Sequence, residues 1–135
     1  MSEYHFHSFD RARERSAPRE LTGATLAGTP WRRHLDRVTL VVAVKPECDG
    51  CRDFVEGNLE ELSHVDVIVV SAEPHDEWRA QRRAVVVSPE SFEALEIPSA
   101  PFYVLVDATH ARVVGEGTLF SPAQVAQEIA GFLTT

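Results

Sequence analysis

The chain has 135 residues, 44% of them hydrophobic and 25% charged, with a net charge of −8, which is the composition of a soluble globular protein long enough for one domain with its own core. No apolar run approaches the roughly 18 residues of a membrane span, and MSEYHFHSFDRARERSAPRE has no apolar stretch of the secretory kind, so the expected location is the cytoplasm and no membrane partner is expected. Residues 1–37 carry seven arginines against five acids, whereas residues 38–135 carry six basic against sixteen acidic residues, an acidic body that argues against nucleic acid as a partner.

Residues 1–20 are polar and weakly patterned, and read as an Arg-rich arm with at most a short helix around Asp10 to Arg15. Leu21 to Trp31 has turn signals at Gly23 and at Gly28-Thr29-Pro30 and room for a short edge strand. The first strong strand is Val38 to Lys45, rich in valine and nearly all apolar, which predicts a central strand covered on both faces; Pro46 ends it. Beyond it Cys51, Phe54, Val55, Leu59 and Leu62 fall at helical spacing, with Asp49 and Asp53 in the first turn. Val65 to Ala72 reads as a second strand, His75 to Arg83 as a short charged helix, and AVVVS as a brief strand. Ser88-Pro89-Glu90 then opens a helix with serine as N-cap and proline at the first helical position. APFYVLVD and ARVVGEG pair through a turn at Ala108 to His110. The last helix starts at Ser121-Pro122-Ala123-Gln124, a capping-box pattern, and should bury Val125, Ile129, Phe132 and Leu133. Strands alternating with helices imply a parallel part of the sheet, and the adjacent pair implies an antiparallel edge.

The chain has two cysteines, in Cys48-Asp49-Gly50-Cys51, at the junction between the first strong strand and the helix after it. A helix N-terminus favours thiolate over thiol, and a second thiol one turn on can attack the mixed disulfide that the first one forms. The rival reading is half of a zinc site, which needs two further ligands. None of the histidines at positions 5, 7, 34, 64, 75 and 110 stands near the pair at ligand spacing, and His5-Phe6-His7 lies in the unpatterned arm.

The Cys-x-x-Cys after the first core strand, followed by Ile97-Pro98-Ser99-Ala100-Pro101-Phe102, resembles the thioredoxin superfamily over about residues 30–134. Within it, AVVVSPESFEALEI and VLVDATHARVVGEGTLFSPAQV resemble the TlpA-like and methylamine-utilisation accessory branch more than short thioredoxin. The resemblance implies an α/β, thioredoxin-like fold, with a central mixed four- to five-stranded sheet flanked by helices on both faces. It divides the chain into an arm with short edge elements at 1–30 and a thioredoxin-like domain at 31–135. It implies that Pro101 is a cis-proline lying against the cysteine pair and that the backbone of Ala100 holds an extended substrate segment.

By the same resemblance the function is thiol–disulfide exchange. Cys48 attacks and Cys51 resolves, without a cofactor or metal, between a protein or small-molecule disulfide and a reductase or dithiol partner that recharges the pair. Three departures stand out. Glu47 replaces the family's tryptophan before the first cysteine, with Asp49-Gly50 in the middle; Val42 replaces a buried aspartate; and Lys45 stands where a peroxiredoxin needs threonine. Glu47 and Asp49 should disfavour the Cys48 thiolate and make the protein more reducing, while Gly50 removes the rigidity of a proline. The alternative is a non-enzymatic thioredoxin-like module that senses redox state or binds metal.

Overall fold

The computed structural model describes residues 15–79 and 83–133, without the side chain of Leu133. In chain order the strands and helices are β1 Arg15–Ser16, β2 Glu20–Ala24, β3 Pro30–His34, β4 Thr39–Val44, α1 Asp49–Glu56, β5 Asp66–Ser71, β6 Val85–Val87, α2 Pro89–Ala94, β7 Phe102–Asp107, β8 Arg112–Thr118 and α3 Pro122–Leu133, with 3-10 turns at Glu60–Leu62 and Asp76–Trp78. The suggested helix around Asp10 lies largely outside the described residues; Arg15, at its end, belongs to β1.

All six residues of β4 are buried, as its valine-rich sequence requires of a strand with both faces covered. It runs parallel to β5 and antiparallel to β7, with Val42 opposite Val69 on one side and Tyr103 on the other. Leu40, Val42 and Val44 face a core completed by Phe54 and Val55 of α1 and by Val125 and Ile129 of α3. Val41 and Ala43 face the opposite core, with Leu95, Ile97 and the half-buried Phe92 of α2. Helices therefore cover both faces of the sheet.

The sheet is larger than the sequence predicts. It has eight strands in the order β1-β8-β7-β4-β5-β6-β2-β3 instead of four or five. The additional strands come from the N-terminal stretch, where β2 and β3 form a hairpin that joins the β6 edge through Ala24 opposite Val87, and β1 pairs with β8. The boundary drawn at residue 30 falls inside this hairpin, where Pro30 pairs with Ala24. Pro30-Trp31-Arg32-Arg33-His34 shows no alternation because β3 is an outer edge. Its arginines reach sideways to Glu20 and Asp66, and proline and charge are the means by which an edge strand resists further pairing. Gly23 is a strand residue, not a turn: a Cβ there would sit 2.6 Å from the Val87 carbonyl oxygen.

Two helices are shorter than the sequence predicts. α1 ends at Gly57, whose N–H reaches the Asp53 carbonyl, and the Asn58 side chain accepts from the Glu60 N–H to start the 3-10 turn that buries Leu62. Arg83 donates to the carbonyls of Phe54 and Gly57 and so occupies the C-terminal end of α1. The predicted helix His75–Arg83 is a single 3-10 turn, with residues 80–82 outside the described set. Trp78 is buried there and donates to the Ser71 hydroxyl.

At the other end of the sheet, Arg15 of β1 binds Glu116 through two contacts of 2.7 and 3.1 Å and also donates to the Leu95 carbonyl. The Glu116 side chain is only 1% exposed, so the first described strand supplies the cation for a buried carboxylate.

Candidate active site

Three separated segments meet at one end of the sheet, and the strand registers explain why. Ala43, near the C-terminal end of β4, pairs with Phe102 at the start of antiparallel β7, and Phe102 pairs with Thr118 at the end of β8. The residues just beyond these positions are Lys45 to Cys48, Ala100-Pro101, and Leu119-Phe120. The C-terminal ends of the parallel strands of an open α/β sheet are where such folds place their ligands.

Cys48 is the N-cap of α1, with an extended backbone and a half-buried side chain; Cys51 is wholly buried in the core beneath it. The two are joined in a disulfide with Cα atoms 5.2 Å apart, inside the ordinary range for such bonds. The Cys51 N–H lies 3.2 Å from the Cys48 sulfur and donates to it. In the reduced state the same N–H, with the positive end of the helix, is placed to receive a thiolate. Val42 is fully buried in the core that holds Cys51, so the strand brings no carboxylate there. Tyr103, its neighbour across the sheet, directs its hydroxyl to Glu128 at 2.6 Å.

The two acids beside Cys48 differ. Glu47 is exposed and takes a left-handed backbone with φ of 60°, a conformation uncommon for a residue with a side chain. The Asp49 carboxylate projects into solvent, 99% exposed, and pairs with Arg52 at 3.3 Å. Gly50, after them, is buried: a Cβ there would meet the Phe120 carbonyl and would lie 3.3 Å from the Leu119 side chain. Position 50 is therefore closed to larger residues by the loop after β8.

The Ala100–Pro101 peptide bond is cis. The Pro101 carbonyl accepts from the Leu119 N–H at 3.5 Å, and Leu119 in turn packs beside Gly50, so Pro101 is tied to the start of α1 through one residue. Ala100 lines a cleft of about 430 Å³ together with Val44, Lys45, Ser71, His75 and Phe92. Trp31 packs against the core on the opposite face.

Sequence reasoning missed the Leu119-Phe120 loop. Its signal was the capping box itself. The Gln124 N–H donates to the Ser121 hydroxyl, while its side-chain oxygen accepts from the N–H groups of Phe120 and Ser121 and its amide donates to the Thr118 carbonyl. A single glutamine thus fixes the turn that closes over Gly50.

No protein-family model and no curated protein matches the chain. Solved structures do. The thioredoxin domain of a thiol-disulfide oxidoreductase from Bacteroides vulgatus aligns at a TM-score of 0.59 and 17% identity over 89% of this chain and 96% of that one. A peroxiredoxin-like protein from Aquifex aeolicus aligns at 0.58 and 16% identity over 87% and 85%. The exposed lipoprotein thioredoxin of Streptococcus pneumoniae aligns at 0.54 and 13% identity over 81% and 98%. At these identities the likeness is one of architecture: the chain has a thioredoxin-like fold.

Proposed function

We propose that the protein is a thiol–disulfide oxidoreductase in which Cys48 is the attacking and Cys51 the resolving thiol. The observation that carries this reading is the asymmetric pair itself: an accessible sulfur at a helix N-cap, bonded to a buried one a turn later. The Cys48 thiolate attacks one sulfur of a substrate disulfide and forms a mixed disulfide; the other substrate sulfur leaves as a thiolate and takes a proton. Cys51, deprotonated, attacks the Cys48 sulfur and expels the second substrate thiol. The enzyme is left as the Cys48–Cys51 disulfide, oxidised by the two electrons that the substrate gained. A dithiol partner or reductase returns it to the reduced form.

The substrate segment runs in extended form past Ala100 and Pro101, with the adjoining cleft taking a neighbouring side chain. We assign the reducing direction from the acids at 47 and 49, which oppose the thiolate and so disfavour the strongly oxidising regime. Among the described residues no group of three His, Cys, Asp or Glu is placed to hold a metal ion; His5 and His7 lie outside them.

Dithiothreitol-driven reduction of insulin tests the proposal. The wild-type chain should accelerate it, Cys48→Ser should abolish the acceleration, and Cys51→Ser should accumulate a mixed disulfide at Cys48. A wild-type chain no faster than dithiothreitol alone, or a Cys48→Ser variant that keeps its rate, would refute it.

A further inference from the structure

Among the described residues Phe120 is the exposed large hydrophobic side chain, 71% accessible. One exposed apolar residue is ordinary on a protein surface; its placement here is not. Phe120 directly precedes the Ser121 N-cap of α3, the position from which an apolar side chain normally folds back onto the fourth helical residue as a staple. That residue, Val125, is fully buried, yet the Phe120 ring stays in solvent. Its backbone is fixed from two sides, by the Gln124 side-chain oxygen on its N–H and by its carbonyl against Gly50, the residue before Cys51. The backbone that carries the exposed ring is thus held, with little freedom left, against the first turn of α1, which contains the two cysteines.

Charge gives an independent indication. Residues 38–135 carry ten more acids than bases, and Glu47 and Asp49 flank Cys48. Small anionic disulfides are repelled by such a field, whereas an apolar contact beside a cystine is not weakened by it.

We infer that Phe120 is a substrate-positioning residue: it receives an apolar side chain that neighbours the cystine of an extended polypeptide, and so directs the site toward protein disulfides over small ones. This rests on the oxidoreductase reading above. Burying part of one ring on binding favours the polypeptide by about tenfold, equivalent to about 1.4 kcal/mol.

The test compares second-order rate constants of the reduced full-length chain toward insulin, a protein disulfide, and hydroxyethyl disulfide, a small neutral one. The ratio of the two should fall about tenfold in Phe120→Ser and recover in Phe120→Leu, with the reduction potential of the Cys48–Cys51 pair unmoved. An unchanged ratio in Phe120→Ser, or a shifted potential, overturns the inference while leaving the oxidoreductase reading standing. A wild-type chain inert toward both disulfides sinks that reading and the anchor with it.

Discussion

By the resemblance to thioredoxin, Val42 stands where that family keeps an acid, and Val42→Asp measures what this core tolerates there. Val42 has no exposed surface and lies between Val69 and Tyr103 at the centre of the sheet. Losing the burial of a valine side chain costs about 1.5–3 kcal/mol, and burying a polar group without a partner adds roughly 1–3 kcal/mol. The neighbouring phenol already serves the Glu128 carboxylate at 2.6 Å. The expected penalty with the new carboxyl neutral is therefore about 2.5–6 kcal/mol, a large part of the roughly 5–15 kcal/mol that holds an ordinary domain together. It should also depend on pH with a defined sign. Burial raises the folded-state pKa of the introduced acid, so above the unfolded value of about 3.9 the unfolded chain ionises first and stability falls by up to about 1.4 kcal/mol per pH unit. Urea denaturation at pH 5 and pH 8 measures both effects, with Val42→Asn as the uncharged comparison that should show the penalty without this slope. A variant within about 0.5 kcal/mol of wild type, or one whose stability does not depend on pH, would show that water or a cation reaches the site and that the core is not dry.

Three further outcomes follow from named contacts. Arg15→Met should destabilise by about 3–5 kcal/mol, because it leaves the buried Glu116 carboxylate without its guanidinium, whereas Arg15→Met with Glu116→Leu should recover most of that loss in thermal melts. The His110 ring, bonded to the Asp107 carboxylate at 2.7 Å, lowers the Asp107 pKa below its ordinary 3.8. Its contribution to stability is therefore present above that value and lost as pH falls through the lowered one, and carboxyl NMR titration should find Asp107 shifted upward in His110→Ala. Neutralising both acids at the site, Glu47→Gln with Asp49→Asn, should make the pair more oxidising by some tens of millivolts at most in a redox titration. Glu47→Gln alone should supply most of it, since Asp49 faces solvent and Arg52; a shift to lower potential would contradict the electrostatic argument.

What could be read from the sequence was whatever depended on local pattern. β4 was legible because TLVVAV has no polar break, and the start of α2 because Ser88 and Pro89 form a capping signal that the structure realises, with the Ser88 hydroxyl accepting from the Ser91 N–H at 3.0 Å. The spacing of Cys48 and Cys51 set their disulfide within a single helical turn. What could not be read was set by distant partners. β3 is a strand because β2 lies beside it, and nothing in Pro30-Trp31-Arg32-Arg33-His34 alternates. Leu59 and Leu62 continue the spacing of α1 but are buried by a separate turn, because Gly57 and Asn58 end the helix first. Gly50 and Phe120 are 70 positions apart in the numbering, and only the registers of β4, β7 and β8 bring them together.

On the proposed function the cysteine pair opens and closes without unfolding the chain, and its loop length permits that. A disulfide stabilises chiefly by restricting the unfolded chain, and in the chain-entropy model the effect grows with the residues enclosed: a bond between neighbours three apart is worth roughly 2 kcal/mol, against about 3 for a 15-residue loop. The two cores, the central three-strand registers and the Arg15–Glu116 pair hold the fold without passing through either sulfur. Cys51 is anchored in one of those cores by its apolar neighbours as well as by the bond, so on the proposed function reduction should free the Cys48 thiol while Cys51 remains one turn away. The small contribution of so short a loop is what would let the bond serve as a reagent instead of a staple, as the proposed function requires.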